Sequence, residues 1–206
     1  MSIFLIIILK TLSLLPIKIL RLISISTYLI NKYFIRYRLN IVTQNLKIAF
    51  PDKNKSEIKI LRDNFFKYFF NTIFEIIKST NANKRFIDQN VRINNPELLN
   101  NYLNENKSVI LLSGHYNNWE WLGAKISIFY EAQFVAIYKK LNNKFFDTLI
   151  SNYRKKFGGE IVNMKESYRF FIKNKKNQKI IGIIADQNPV INDKTKWVSF
   201  FNKKVP

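Results

Sequence analysis

The sequence predicts an α/β fold, a mostly parallel sheet flanked by helices, preceded by an N-terminal membrane-associated helical segment. Three observations carry this expectation. Four short apolar runs, SVILLS (108–113), FVAIY (134–138), EIVNM (160–164) and KIIGIIA (179–185), alternate with helix-like stretches. Each run is apolar at consecutive positions, the pattern of a strand buried on both faces, and the intervening stretches, such as 143–157 and 166–174, suit helical crossovers. The segment before residue 33 is apolar, with its cations at helical spacing. At 206 residues, 47% apolar and 15% aromatic, the chain has the size and composition of one packed domain, which excludes a disordered basic tail.

The N-terminal segment runs from IFLIIIL (3–9) to Asn31 and is interrupted by Lys10, Lys18 and Arg21. No part of it free of Lys and Arg reaches the roughly 20 residues of a spanning helix. On a helix turning about 100° per residue, Lys10, Lys18, Arg21 and Lys32 fall within about 80° of one another. A shared cationic face predicts a helix lying in a bilayer interface, apolar side in the acyl region and Lys/Arg towards anionic head groups. Residues 1–32 are therefore read as an anchoring helix and 33–206 as the main domain. Pro16 predicts a kink or the start of a second helix. An amphipathic helix packed on the protein, or a tilted span with snorkelling lysines, fits the same pattern. A secretory signal fits poorly, because no basic region precedes the apolar run and no small-x-small site follows it.

Further along, Ile58, Leu61, Phe65, Phe69, Ile73 and Ile76 share one helical face, predicting a helix over 55–78 with Ser56 as its N-cap and Glu57 in its first turn. Residues 80–107 are Asn-rich and read as a connector, with a short strand over Val91–Ile93 and a small helix from Pro96 to Asn104. In the parallel sheet that follows, active-site groups are expected at the C-terminal ends of the strands.

The charge narrows the partners. With 34 Lys+Arg against 14 Asp+Glu, the net charge is +20, which suits nucleic acid, acidic lipid head groups or an acidic carrier protein. The sequence contains no cysteine and a single histidine, His115, which excludes a thiolate zinc site, a cysteine nucleophile and a multi-histidine metal site. No cofactor or metal is expected. A basic nucleic-acid-binding module is the rival class, but no RRM, KH, zinc or helix-turn-helix signature accompanies the charge.

The single histidine stands where chemistry is expected. In SVILLSGHYNNWEW, His115 follows a buried strand, Gly114 permits a sharp exit, and Asn118 is placed to cap a helix whose first turn holds Trp119 and Glu120. On one continuous helix His115 and Glu120 would stand about 140° apart, so a contact between them needs His115 on the loop. There a carboxylate holds one imidazole nitrogen while the other removes a proton from a hydroxyl. The helix N-terminus is suited to developing negative charge. A first-turn glutamate is also what the helix macrodipole favours without any catalytic role.

The GHYNNWEW block, an H-x4-E motif after an apolar strand, resembles the catalytic block of the bacterial lipid A biosynthesis acyltransferases, the lauroyl/myristoyl transferase family. RYRLNIVTQNLKIAFPDKNKSEI (36–58) is similar to an upstream block of that family, and Glu75 stands where the family carries a glutamate. NYRKKFGGEIVNMK (152–165) and IIGIIADQNP (180–189) resemble its later blocks, in the same order. The resemblance implies a glycerolipid-acyltransferase-like fold with His115 as general base, Glu120 as its orienting partner, and Arg154 and Asp186 as further active-site positions. Gln187 and Lys139 join them as candidate substrate contacts. Asp186 is read as orienting a substrate hydroxyl or Arg154, and Trp119, Trp121 and Phe200–Phe201 as packing or acyl-chain wall. Asn117 replaces a common glycine and can adopt the left-handed conformation, while Lys139–Lys140 stands where an arginine is usual.

The implied reaction moves a fatty acyl group from the thioester of an acyl carrier protein to a hydroxyl of a lipid A precursor, on the cytoplasmic face of the bacterial inner membrane. Another acceptor, such as an aminolipid or lysophospholipid, stays open. The family pattern continues beyond Pro206, so the resemblance also implies a C-terminally incomplete domain and, as an alternative, a truncated inactive member.

Overall fold

The computed structural model describes residues 3–206 except 188, 190 and 194, with side chains from residue 6 onward. The chain divides into two compact units, one formed by the segment up to Leu14 with Ile76–Asp186, the other by Leu15–Glu75 with Gln187–Pro206.

The N-terminal segment forms helices α1 (Ile3–Leu14) and α2 (Ile17–Ile30), broken at Pro16 as expected, and a π-turn follows over Asn31–Ile35. No helix among the described residues is long and apolar enough to cross a membrane. The cationic face of α2 differs from expectation. Leu20, Ser24, Tyr28 and Asn31 are buried. Beside them Arg21 reaches Glu75 at 3.7 Å and Lys32 reaches Asp63 at 2.8 Å. Lys32 and the half-exposed Arg21 therefore face carboxylates of the next long helix, Lys18 stays exposed as expected, and the apolar Leu22, Ile25, Leu29 and Ile30 are exposed as well.

Helix α3 (Leu39–Ala49) precedes α4 (Lys55–Ser79), which matches the predicted long helix. Its cap is Asn54 rather than Ser56. Asn54 Oδ1 accepts the amides of Ser56 and Glu57, and the Asn54 amide in turn donates to the Glu57 carboxylate, a reciprocal capping box. The connector holds α5 (Lys84–Asn90), capped by Asn83, and α6 (Pro96–Asn104), with proline at its first turn. Val91–Ile93 is extended at Val91 but is not a strand; Ile93 instead packs against the sheet's core cluster.

The four apolar runs become β1 (Val109–Ser113), β2 (Gln133–Tyr138), β3 (Glu160–Asn163) and β4 (Lys179–Ile184), joined by α7 (Trp119–Phe129), α8 (Lys144–Lys155) and α9 (Ser167–Lys173). They form one parallel sheet in the order β1-β4-β2-β3. The last strand in sequence thus sits between the first two. Ile180 of β4 and Val135 of β2 are fully buried, and Ile126, Tyr130 and Ile180 centre the core beneath Leu111 and Phe134. In the other unit, β5 (Val198–Phe200) and β6 (Lys203–Val205) form an antiparallel hairpin, turned by Phe201 and Asn202 at φ 47° and 57°. It carries the exposed Phe200 and Phe201.

Candidate active site

Because all four strands of the main sheet run the same way, the residues that follow β1, β2 and β4 emerge on one edge. Pairing of β1 with β4 extends past the strands, the Ala185 amide donating to the Ser113 carbonyl at 2.9 Å. That bond sets Asp186 opposite His115. Asp186 Oδ1 lies 2.7 Å from His115 Nδ1, and its Oδ2 accepts the His115 amide at 2.7 Å. Gly114 makes the approach possible, since a Cβ there would stand 3.0 Å from Asp186 Oδ2 and 3.3 Å from its Cγ. Burial works against the charge on Asp186, but the two hydrogen bonds from His115 hold its carboxyl below the usual range. The pair is open to solvent, its side chains 35% and 44% exposed.

The loop behaves as its residue types dictate. Asn117 takes the left-handed conformation at φ 55°, and the Asn118 side chain accepts the Trp121 amide at 3.1 Å, capping α7.

Glu120, expected against His115, is committed elsewhere. Its Oε2 accepts from Arg154 Nε at 2.9 Å and its Oε1 from the same guanidinium at 2.6 Å, a bidentate pair whose carboxylate is only 5% exposed. The cause is the helix: in its first turn Glu120 points inward beneath α8, whose last turn carries Arg154, while His115 stays on the loop outside. Burial works against the Arg154 charge, and the bond to Glu120 more than restores it, raising its pKa. The Tyr153 hydroxyl donates to the Glu120 carbonyl at 3.4 Å.

Trp119 joins the two pairs, a role its sequence position did not reveal. Its ring meets the His115 imidazole edge to face at 4.8 Å between centroids, and its indole N–H donates to Glu120 Oε1 at 3.1 Å. Trp121 is buried, its indole N–H donating to Ser79 Oγ at 2.6 Å. Lys139 is exposed at the end of β2, on the same edge but two strands from His115, and Gln187 is exposed in the bend after Asp186. Behind Trp119, Glu120 and Arg154 an apolar cavity of about 80 Å³ opens between α7 and the sheet, floored by Phe134 and walled by Leu111, Leu122 and Ile184.

A base candidate held by a carboxylate, a buried cation nearby and an apolar recess behind them suit transfer of an apolar group to a hydroxyl. No curated protein matches the chain. The family model for bacterial lipid A biosynthesis acyltransferases matches residues 1–205. The chain therefore belongs to the bacterial lipid A biosynthesis acyltransferase family and is an acyltransferase acting on lipid.

Proposed function

We propose that the protein, associated with the cytoplasmic face of the bacterial inner membrane, transfers a fatty acyl group from an acyl carrier protein thioester to a hydroxyl of a lipid A precursor. The observation that carries the mechanism is the 2.7 Å contact between His115 Nδ1 and Asp186. With Nδ1–H donated to Asp186, Nε2 is the basic nitrogen. It takes the proton of the acceptor hydroxyl as that oxygen attacks the thioester carbonyl. The carbon–oxygen bond forms, and the tetrahedral oxyanion collapses. The carbon–sulfur bond then breaks and the departing thiolate takes the proton back from the imidazolium, so atoms and charge balance without a covalent enzyme intermediate.

In this reading Asp186 is the residue that orients the base. Glu120 contributes by fixing Arg154, whose guanidinium offers positive charge to the developing oxyanion or to a substrate phosphate. The apolar cavity receives the start of the acyl chain, and Lys139 and Gln187 meet the polar parts of the substrates. The +20 charge supports acidic partners, both a carrier protein and a phosphorylated lipid.

The test is acyl transfer from acyl carrier protein to a lipid A precursor by membranes containing the chain. Activity that falls at least about 100-fold in His115→Ala is the expected result. Equal activity in the variant overturns the assignment of the base, and transfer only to an aminolipid or lysophospholipid overturns the acceptor.

A further inference from the structure

Asp186 by itself does not fix where the far side of the imidazole points. Its carboxylate holds the His115 amide and Nδ1, each at 2.7 Å, and both contacts lie on the side of the ring away from Nε2. The outer torsion of a histidine is broad, so a bond at Nδ1 leaves the ring free to rock and Nε2 to sweep an arc. The next loop residues are turned to solvent, Tyr116 at 86% exposure and Asn117 beside it.

A further restraint comes from Trp119, the first residue of α7. Its ring meets the imidazole edge to face, with 4.8 Å between centroids and 78° between planes, an arrangement that the charge distribution of aromatic rings favours. A half-buried tryptophan at the start of a helix could swing away, but this one is tied. Its indole N–H donates to Glu120 Oε1 at 3.1 Å, the same oxygen that accepts Arg154 Nη2 at 2.6 Å. That oxygen belongs to a charged carboxylate almost sealed from water, where a hydrogen bond is strengthened.

We propose that Trp119 is the positioning residue for the general base: anchored on the Glu120–Arg154 pair, its ring fixes the tilt of His115 and so the place of Nε2. The proposal rests on the acyl-transfer reading above. It gives the glutamate of the H-x4-E block a part in the reaction without contact with the histidine, since Glu120 holds the ring that holds the imidazole. The indole also lines the apolar cavity, so it sets the base at a fixed distance from the recess that receives the acyl chain. Such placement matters because a shift of about 1 Å at a reacting group can cost about 100-fold in rate.

The experiment pairs NMR with kinetics on the full chain in detergent micelles. His115 is the sole histidine, so 13C-histidine labelling reports one imidazole. In the wild type its ring-proton resonances are expected to be displaced by the indole ring current, and in Trp119→Ala to move to the positions of a free, rotating histidine. The same variant is expected to lose at least about tenfold in kcat per folded molecule, with the KM for the lipid A precursor changed by less than about twofold. Trp119→Phe, which keeps a ring but has no N–H to tie it, is expected to fall between the two on both readouts. Unmoved resonances or a wild-type kcat in Trp119→Ala overturns the proposal, as do wild-type values in Trp119→Phe. If Trp119→Ala does not fold, Trp119→Phe decides by the same readouts, intermediate values supporting the proposal. If the wild type transfers no acyl group while the resonances still move in the variants, the hold of Trp119 on His115 stands and the acyl-transfer reading falls.

Discussion

Two side-chain pairs that each include a carboxylate stand at one edge of the sheet, and their environments differ. Glu120 and Arg154 meet through two parallel bonds with the carboxylate almost sealed from water, whereas His115 and Asp186 meet through shorter side chains that remain accessible. A buried bidentate pair is costly to break and cannot easily exchange protons, which makes it a scaffold. An accessible imidazole with one nitrogen held is free to exchange a proton at the other. In the proposed mechanism the motif's glutamate shapes the site from behind, and the aspartate that follows β4 orients the base.

The largest expected effect breaks that division. Glu120→Ala leaves Arg154 buried without its acceptor and is expected to cost about 3–5 kcal/mol of stability, read as a lowered denaturant midpoint. Adding Arg154→Met is expected to recover most of it. Asp186→Asn is expected to change stability by less than about 1 kcal/mol, as exposed pairs do, while lowering acyl transfer about 100-fold. A stable but inactive Glu120→Ala would transfer the orienting role back to Glu120.

A third pair, Lys32 with Asp63, lies between these extremes and sharpens the comparison through pH. Partial burial works against Asp63's charge, but hydrogen bonds from Lys32 and Arg62 hold its pKa low; Lys32 is raised mainly by its bond to Asp63. The Asp63 contribution is present above its unfolded value, about 3.9, and is lost as pH falls through its folded value. The Lys32 contribution is present below its unfolded value, about 10.4, and is lost as pH rises through its raised folded value. The pair's contribution to thermal stability is therefore expected to be flat between these limits and to fall outside them, and Asp63→Asn to reduce the fall at both ends. An unchanged profile in Asp63→Asn would show that the pair contributes nothing.

The sheet was legible in the sequence because consecutive apolar residues have few other uses, and each of the four runs became a strand within a residue or two. Helices α7, α8 and α9 followed from the same alternation. Two of the differences between expectation and structure share one cause. His115 was matched to the carboxylate nearest in sequence, but its partner lies 71 residues away, because β4 inserts beside β1. The charge pattern sets Arg21 and Lys32 outward, whereas Asp63 draws Lys32 in and Glu75 faces the still half-exposed Arg21 from α4. Periodicity reveals that a helix has two faces, and long-range pairing decides which one turns inward. The cap at Asn54 was missed by two positions, since Asn and Ser both cap well and only geometry chooses between them.

The smallest expected effect tests how finely the exposed pair is set. Gly114 has no need of a left-handed conformation; its value lies in the space it leaves for Asp186. A methyl group there would stand 3.0 Å from Oδ2, close enough that the carboxylate must retreat by a few tenths of an ångström. Both bonds from His115 would lengthen with it, because they end on the same carboxylate. Gly114→Ala is therefore expected to lower acyl transfer by about tenfold or less, with little change in stability, since displacements of this size at a catalytic group are felt in rate before they are felt in folding. The control is Gly158→Ala, whose methyl would meet nothing within 4 Å but whose backbone stands at φ 92°. That variant is expected to lose stability through backbone strain, and its effect on rate should follow the loss of folded protein. Equal activity per folded molecule in Gly114→Ala and wild type would mean that Asp186 has room to spare, and that the 2.7 Å contact is not what sets the base.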